Sequence, residues 1–193
     1  VNDMLNVSRI ESGRVEILPK PFSIEQLIGE VFSEIEAKAA EKKLQITLTG
    51  APAPVAFADP DKVHQILLNL LGNALKFTPE NGKITVNLLS DGQKIEISVT
   101  DSGVGISADD AAKLFKKFSR LDSSYVSASS SGGTGLGLYI CKSLIELMKG
   151  TIRVQSAGVG QGSSFIFTLP LATDAVVQNA DQYTNKVAIG AKQ

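Results

Sequence analysis

The alternation of apolar and polar positions divides this chain into helices and strands before any single residue is considered. Between Asp61 and Pro79, Val63, Leu67, Leu68, Leu70, Leu71, Ala74 and Leu75 recur at helical spacing and leave one polar line of Gln65, Asn69, Asn73 and Lys76. At about 100° per residue, Asn73 falls about 40° from Asn69, and Lys76 about 20° to the other side. A helix so apolar elsewhere is buried on most of its sides. Its line of amides then needs partners, because a buried amide without one costs roughly 1–3 kcal/mol. Either the protein or a polar ligand supplies them.

The same patterning predicts the other elements. Val1 to Ser12 reads as the end of a helix, with Met4, Leu5 and Ile10 as its apolar face and Gly13 as its stop. Val15 to Pro21 is a short extended connector. Ser23 is an N-cap, Gln26 completes a capping box, and the helix they start runs to about Lys42. Leu44 to Thr49 alternates as a half-buried strand, and Val55 to Ala58 is a weaker strand. Asp59 caps the central helix, with Pro60 at its first position. Lys83–Ser90 and Lys94–Thr100 form a hairpin over Asp91-Gly92. Asp109 to Phe118 suits a short helix, and the Ser- and Gly-rich Ser119 to Gly133 a mobile loop. Thr134 to Met148 is a helix ended by Gly150 at C′, before a closing hairpin of Thr151–Ser156 and Ser163–Leu169. Strands that pair mainly with sequence neighbours predict an α+β fold. It is a two-layer α/β sandwich whose mostly antiparallel, mixed sheet carries helices on one face.

Composition narrows the class. A chain of 193 residues with 43% hydrophobic content builds one ordinary domain with appendages. Its 19 basic and 20 acidic residues nearly cancel, which gives no electrostatic case for nucleic acid or an anionic membrane. One cysteine, Cys141, excludes an intramolecular disulfide framework and reads as a core residue. No run of about 18 apolar residues is present. The opening VNDMLNVSRIE has no initiator Met and reads as part of something longer. The expected organisation is a helix end and connector over residues 1–18, one domain over 19–172, and a linker or disordered tail over 173–193.

Three glycine-rich stretches carry candidate chemistry: DSGVGI from Asp101, GGTGLGL from Gly132 and GVGQGSSF from Gly158. None is a Walker loop, which needs Gly-Lys-Ser/Thr, and no dinucleotide fold supports the middle one. That middle stretch precedes a helix, so its free N–H groups and the helix dipole suit an anion. Asp101 ends a strand and reads either as a turn cap or as an acceptor for an exocyclic amine.

Taken together and in this order, HQILLNLLGNALKFT, DSGVGI, KLFKKFSRLD and GGTGLGL resemble the N box, first glycine box, F box and second glycine box of sensor histidine kinase catalytic domains. LNVSRIESGRVEILPKPFSIEQLI resembles the segment leaving the dimerisation and histidine-phosphotransfer helix, so the resemblance covers about residues 1–171. It implies the Bergerat-type ATP-binding fold. It implies Mg²⁺ and phosphate at Asn69 and Asn73, phosphate at Lys76, and adenine or ribose against Phe77. It implies the adenine amine at Asp101, with Gly103, Gly105 and Ile106 about the base. Phe115 and Phe118 match the F box, mainly as core, with Phe118 also counted among the nucleotide-binding residues, and Arg120 reaches toward the γ-phosphate. Residues Ser123 to Gly132 match the ATP lid, and Gly133, Thr134, Gly135, Leu136, Gly137 and Leu138 the phosphate loop. Lys113, Lys116 and Lys117 read as a solvated face.

The resemblance extends to gyrase and MutL-type ATPases, which place a water-activating Glu where this chain has Asn69. Asn cannot serve as a general base at neutral pH, which favours transfer over hydrolysis. The implied catalytic group is Asn69, Lys76 and Arg120. The sole histidine, His64, lies about 140° around the helix from Asn69 and matches no phosphoacceptor box. The expected acceptor is a histidine on a dimerisation domain upstream of Val1, and the further expected partners are a response-regulator receiver domain and a second copy of the parent. The expected location is cytoplasmic, with a plasma-membrane anchor of the parent left open. A degenerate nucleotide-gated interaction module is the alternative.

Overall fold

The computed structural model describes residues 2–50, 55–119 and 133–173. Helix α1 (Asn2–Glu11) is followed by strand β1 (Lys20–Phe22), helix α2 (Ile24–Glu41) and strands β2 (Gln45–Gly50) and β3 (Ala56–Ala58). Helix α3 (Pro60–Phe77) leads to the hairpin β4 (Lys83–Ser90) and β5 (Lys94–Asp101). The short helix α4 (Ala108–Ala111), helix α5 (Gly137–Leu147) and strands β6 (Ile152–Gln155) and β7 (Ser163–Pro170) complete it.

Five strands form one sheet in the order β2-β4-β5-β7-β6. Three of its pairings are antiparallel; β2 and β4 run parallel, because the chain crosses over through β3 and α3 between them. Alternation decides its faces. Ile84, Val86, Leu88, Ile95, Ile97 and Val99 are buried, with Val86 opposite Val99 and Leu88 opposite Ile97. Thr85, Asn87, Ser98 and Thr100 lie on the other side. Helix α3 packs on the buried face and is flanked by α2 and α5. Val63, Ile66, Leu67, Leu70 and Leu71 of α3 are fully buried, each contributing about 1.5–3 kcal/mol in transfer terms. This is the expected two-layer, mostly antiparallel mixed architecture. No helix among the described residues is long and apolar enough to cross a membrane.

Several local expectations differ from the structure. The connector forms a strand: β1 pairs antiparallel with β3 in a separate two-stranded sheet. Ser23 Oγ accepts from Gln26 N, but the Gln26 side chain donates to Glu30, so only half of the capping box is made. The helix expected over Asp109–Phe118 stops at Ala111 and continues as turns. The helix expected from Thr134 begins at Gly137. Gly150 is not the left-handed residue after α5; Lys149 is, with φ 64°. A glycine stands at 150 because a Cβ there would meet the Thr168 carbonyl oxygen at 2.0 Å. In α1 it is Val7 that is buried, with Ile10 partly so, whereas Met4 and Leu5 are 62% and 53% exposed. The tail beyond Thr173 lies outside the described residues.

Candidate functional site

Helix α3 starts where Asp59 dictates. Its carboxylate, 4% exposed, accepts from the N–H groups of Asp61 and Lys62 and from Leu18 N. From that start the helical period carries Asn69, Asn73 and Lys76 to one side, and all three are half-buried, whereas Ile66, Leu67, Leu70, Leu71, Ala74 and Leu75 are buried. Asn73 Nδ2 lies 3.5 Å from Asn69 Oδ1, a long contact that leaves both amides most of their bonding capacity. The Lys76 ammonium sits 5.2 Å from the centroid of the Phe77 ring.

The N-terminus of α5 meets this line. A Cβ on Gly137 would stand 2.4 Å from Asn69 Nδ2 and 2.8 Å from Oδ1, so the backbone of the first helical residue touches the Asn69 amide. No side chain caps α5, whose N-cap residue is Leu136. Its leading N–H groups and positive dipole end are therefore presented beside the Asn69 amide. Thr134 Oγ1 accepts from Leu136 N at 3.4 Å and donates to Asp3 Oδ2 of α1 at 2.7 Å. Gly135, with φ +70°, turns against the backbone of Phe118 and Ser119.

Asp101 ends β5 on the buried face, 7% exposed. One carboxylate oxygen accepts from Gly103 N at 2.8 Å and the other from Ser163 Oγ at 2.6 Å. An ionised carboxylate still has acceptor sites to spare. Both readings of Asp101 are thus compatible: it caps its own turn and keeps acceptor capacity. Gly103 and Gly105 are required by backbone approach. A Cβ at 103 would lie 2.6 Å from the Phe77 carbonyl, and one at 105 would lie 2.0 Å from the Gly158 carbonyl. The first and third glycine stretches therefore lock together, with Gly160 N and Gly162 N donating to Val104 O and Gly103 O. Ile106 is buried behind them.

The F-box pair separates. Phe115 packs edge-to-face on Phe165 at 6.4 Å, as core. Phe118 is 62% exposed, with φ 58°, and is not core. Lys113, Lys116 and Lys117 are exposed, as a solvated face requires; Lys117 also pairs there with Glu11 of α1, and its ammonium lies 5.2 Å from the Tyr139 ring centroid. Arg120 and the lid residues Ser123 to Gly132 lie outside the described residues. The structure thus brings Asn69 against Gly137 where α3 meets α5, carries Asn73 and Lys76 further along the same side of α3, and places the Phe77 backbone and Asp101 together against Gly103 at the end of β5. The hydroxyl of Ser163 on Asp101 had no local signal, since its partner lies 62 residues away.

Residues 58–173 match the family model described as histidine kinase-, DNA gyrase B-, and HSP90-like ATPase. Among curated proteins, the circadian input-output histidine kinase CikA of Synechococcus elongatus is 38% identical over 176 residues, which cover 90% of this chain and 23% of CikA. The chain spans about a fifth to a third of the first curated relatives it matches. Among solved structures, full-length ShkA in complex with AMPPNP superposes with a TM-score of 0.78 at 35% identity, covering 89% of this chain and 35% of ShkA. The nucleotide-free catalytic domain of histidine kinase ThkA gives a TM-score of 0.69 at 30% identity, over 79% of this chain and 97% of that domain. ThkA in complex with the response regulator protein TrrA gives 0.67 at 28% identity, over 86% of this chain and 46% of that one.

Proposed function

The chain belongs to the histidine kinase-, DNA gyrase B-, and HSP90-like ATPases, and from that premise we propose that it is the ATP-Mg²⁺-binding catalytic domain of a two-component sensor histidine kinase. The domain, over about residues 19–172, positions ATP so that the γ-phosphoryl group passes to a histidine on a dimerisation domain of the parent. The bond to the β,γ-bridging oxygen breaks, a bond to the imidazole nitrogen forms, and ADP leaves.

The observation that carries this reading is the meeting of Asn69 with Gly137 at an uncapped helix N-terminus. Such a terminus favours phosphate, and the adjacent amide oxygens suit a hard cation. Asn69 and Asn73 would hold Mg²⁺, which supplies charge neutralisation across the β- and γ-phosphates. Lys76 adds a point charge at the phosphates, the Phe77 ring covers the base or ribose, and Asp101 accepts the adenine amine. Gly133 to Leu138 hold the phosphates by backbone, and Arg120 completes the γ-phosphate end. Phosphoryl transfer asks mainly for such positioning and charge stabilisation. The AMPPNP complex of ShkA supports the nucleotide, and the TrrA complex of ThkA supports a response regulator as the downstream partner. Asn69, where a hydrolase would carry Glu, favours transfer over hydrolysis.

The test is incubation with γ-labelled ATP and Mg²⁺, with and without a separate histidine-bearing acceptor domain. Label appears on the acceptor domain and not on this chain. Label on this chain alone, or release of free phosphate in its place, would overturn the reading.

A further inference from the structure

The last turn of α3 carries Asn73, Lys76 and Phe77, and its C-terminal carbonyls must find donors outside the helix. No glycine closes it: the C-cap Thr78 is extended, with φ −87° and ψ 127°, and Pro79 follows without an N–H. The last four carbonyls nevertheless all have partners. Ala74 O accepts from Thr78 N at 3.0 Å, and Phe77 O from Val104 N at 3.3 Å. Leu75 O and Lys76 O both accept from the Lys42 ammonium, at 2.6 and 3.3 Å, and Thr78 O accepts from it at 2.6 Å. An ammonium has three protons, and here they meet three carbonyls. Lys42 comes from the end of α2, is half-buried, and is tied in return through its own carbonyl, which accepts from Asn81 N at 3.0 Å.

We propose that Lys42 is a positioning residue for the nucleotide site, an inference that rests on the ATP-binding reading above. Its charge complements the C-terminal end of the α3 dipole and fixes the Phe77–Thr78 backbone. That backbone abuts the first glycine loop directly: Phe77 O would be 2.6 Å from a Cβ on Gly103, whose N–H holds Asp101. Lys42 thus sets the phosphate-side residues of α3 in register with the carboxylate that reads the base, without touching the nucleotide.

The experiment compares wild type with Lys42→Met by calorimetric titration with ATP-Mg²⁺ below the melting temperature of both, and by amide NMR. Lys42→Met weakens ATP-Mg²⁺ binding roughly tenfold, as expected for loss of charge-assisted hydrogen bonds. It also shifts the Val104 amide and speeds its exchange, and leaves the amide of Ile97 in mid-sheet unchanged. Unchanged affinity, or lost affinity with the Val104 amide unmoved, overturns the proposal. Should Lys42→Met fail to fold, Lys42→Gln keeps a donor, removes the charge and carries the same comparison. Absence of ATP binding by the wild type would instead overturn the proposed function, before Lys42 is altered.

Discussion

Ser163 Oγ donates a 2.6 Å hydrogen bond to Asp101 Oδ2, joining the first residue of β7 to the last of β5. The two residues are also direct register partners across the sheet. Both are buried, at 8% and 7% exposure, so the bond fixes the carboxylate rather than decorating a surface. An oxygen held by Ser163 and another held by Gly103 leave the carboxylate one orientation from which to accept an exocyclic amine. Asp101→Asn replaces an acceptor oxygen by an NH₂ donor and sets it against one of two existing donors. Its ATP affinity falls roughly 10–100-fold, while affinity for a 6-oxo purine nucleotide does not fall in step. Ser163→Thr keeps the hydroxyl and affinity; Ser163→Ala does not. Competition titrations with ATP and ITP decide this, and equal losses for both nucleotides would count against base recognition by Asp101.

Gly137→Ala separates fold from site. The new methyl falls on the Asn69 amide, the short end of a movable side chain, and not on backbone. The helix gains at most a few tenths of a kcal/mol, because Gly137 is its first residue and the roughly 0.5–1 kcal/mol preference for Ala over Gly applies to a helix interior. The variant therefore melts at or slightly above the wild-type temperature but displaces Asn69 from α5. Its ATP-Mg²⁺ affinity drops roughly tenfold or more. Calorimetry with and without Mg²⁺ and a thermal melt read the two effects separately. A variant with unaltered affinity would dissociate Asn69 from the site.

What was legible in the chain was mostly local. The Asp59-Pro60 start of α3, the alternation of β4 and β5, and the polar line of α3 all lie within one element, where spacing alone sets the face. The parallel pairing of β2 with β4 and the pairing of β1 with β3 depend on a crossover, about which a strand's own sequence says little. Lys42 stands in AEKKL, indistinguishable from any solvated helix end, and its acceptors lie 33 to 36 residues away. Gly150 misled in a specific way: its place after α5 suggested a left-handed turn, whereas Lys149 takes that conformation and Gly150 is set by the Thr168 carbonyl crossing close to it. Lys117 is exposed as its sequence suggests, but its partners Glu11 and Tyr139 belong to other elements and left no local sign.

Burial pushes the Cys141 thiol up to about 12 from its ordinary value of 9.0. Below that ordinary value the thiol is protonated in both folded and unfolded chains and makes no difference to stability. As pH rises above it, the unfolded chain releases the proton and the folded one does not, so stability is lost with a slope of up to about 1.4 kcal/mol per pH unit. Cys141→Ala removes this contribution. Urea melts from about pH 8 upward then show a steeper decline for wild type than for the variant. In the native protein the thiol does not react with an alkylating reagent at about pH 8, and it reacts after addition of denaturant. Parallel pH profiles, or fast native alkylation, would contradict the burial-driven shift.

His64 is the sole histidine in the sequence and lies on the same helix as Asn69, which makes it the obvious rival to a separate acceptor. Its Nε2 sits 2.5 Å from Glu34 Oε1 of α2, with 29% and 49% of the two side chains exposed. It therefore faces α2, whereas Asn69 faces Gly137 of α5. A nitrogen engaged by a carboxylate on the far side of α3 cannot approach a phosphate bound, as proposed, at the N-terminus of α5 without unwinding the helix between them. His64→Ala accordingly leaves label transfer from γ-labelled ATP to a separate acceptor domain at the wild-type rate. It lowers stability by at most about 1 kcal/mol, the range for a partly exposed polar contact. Single-turnover labelling with the variant is the measurement. Loss of acceptor labelling from a folded His64→Ala would place this residue in the phosphate path.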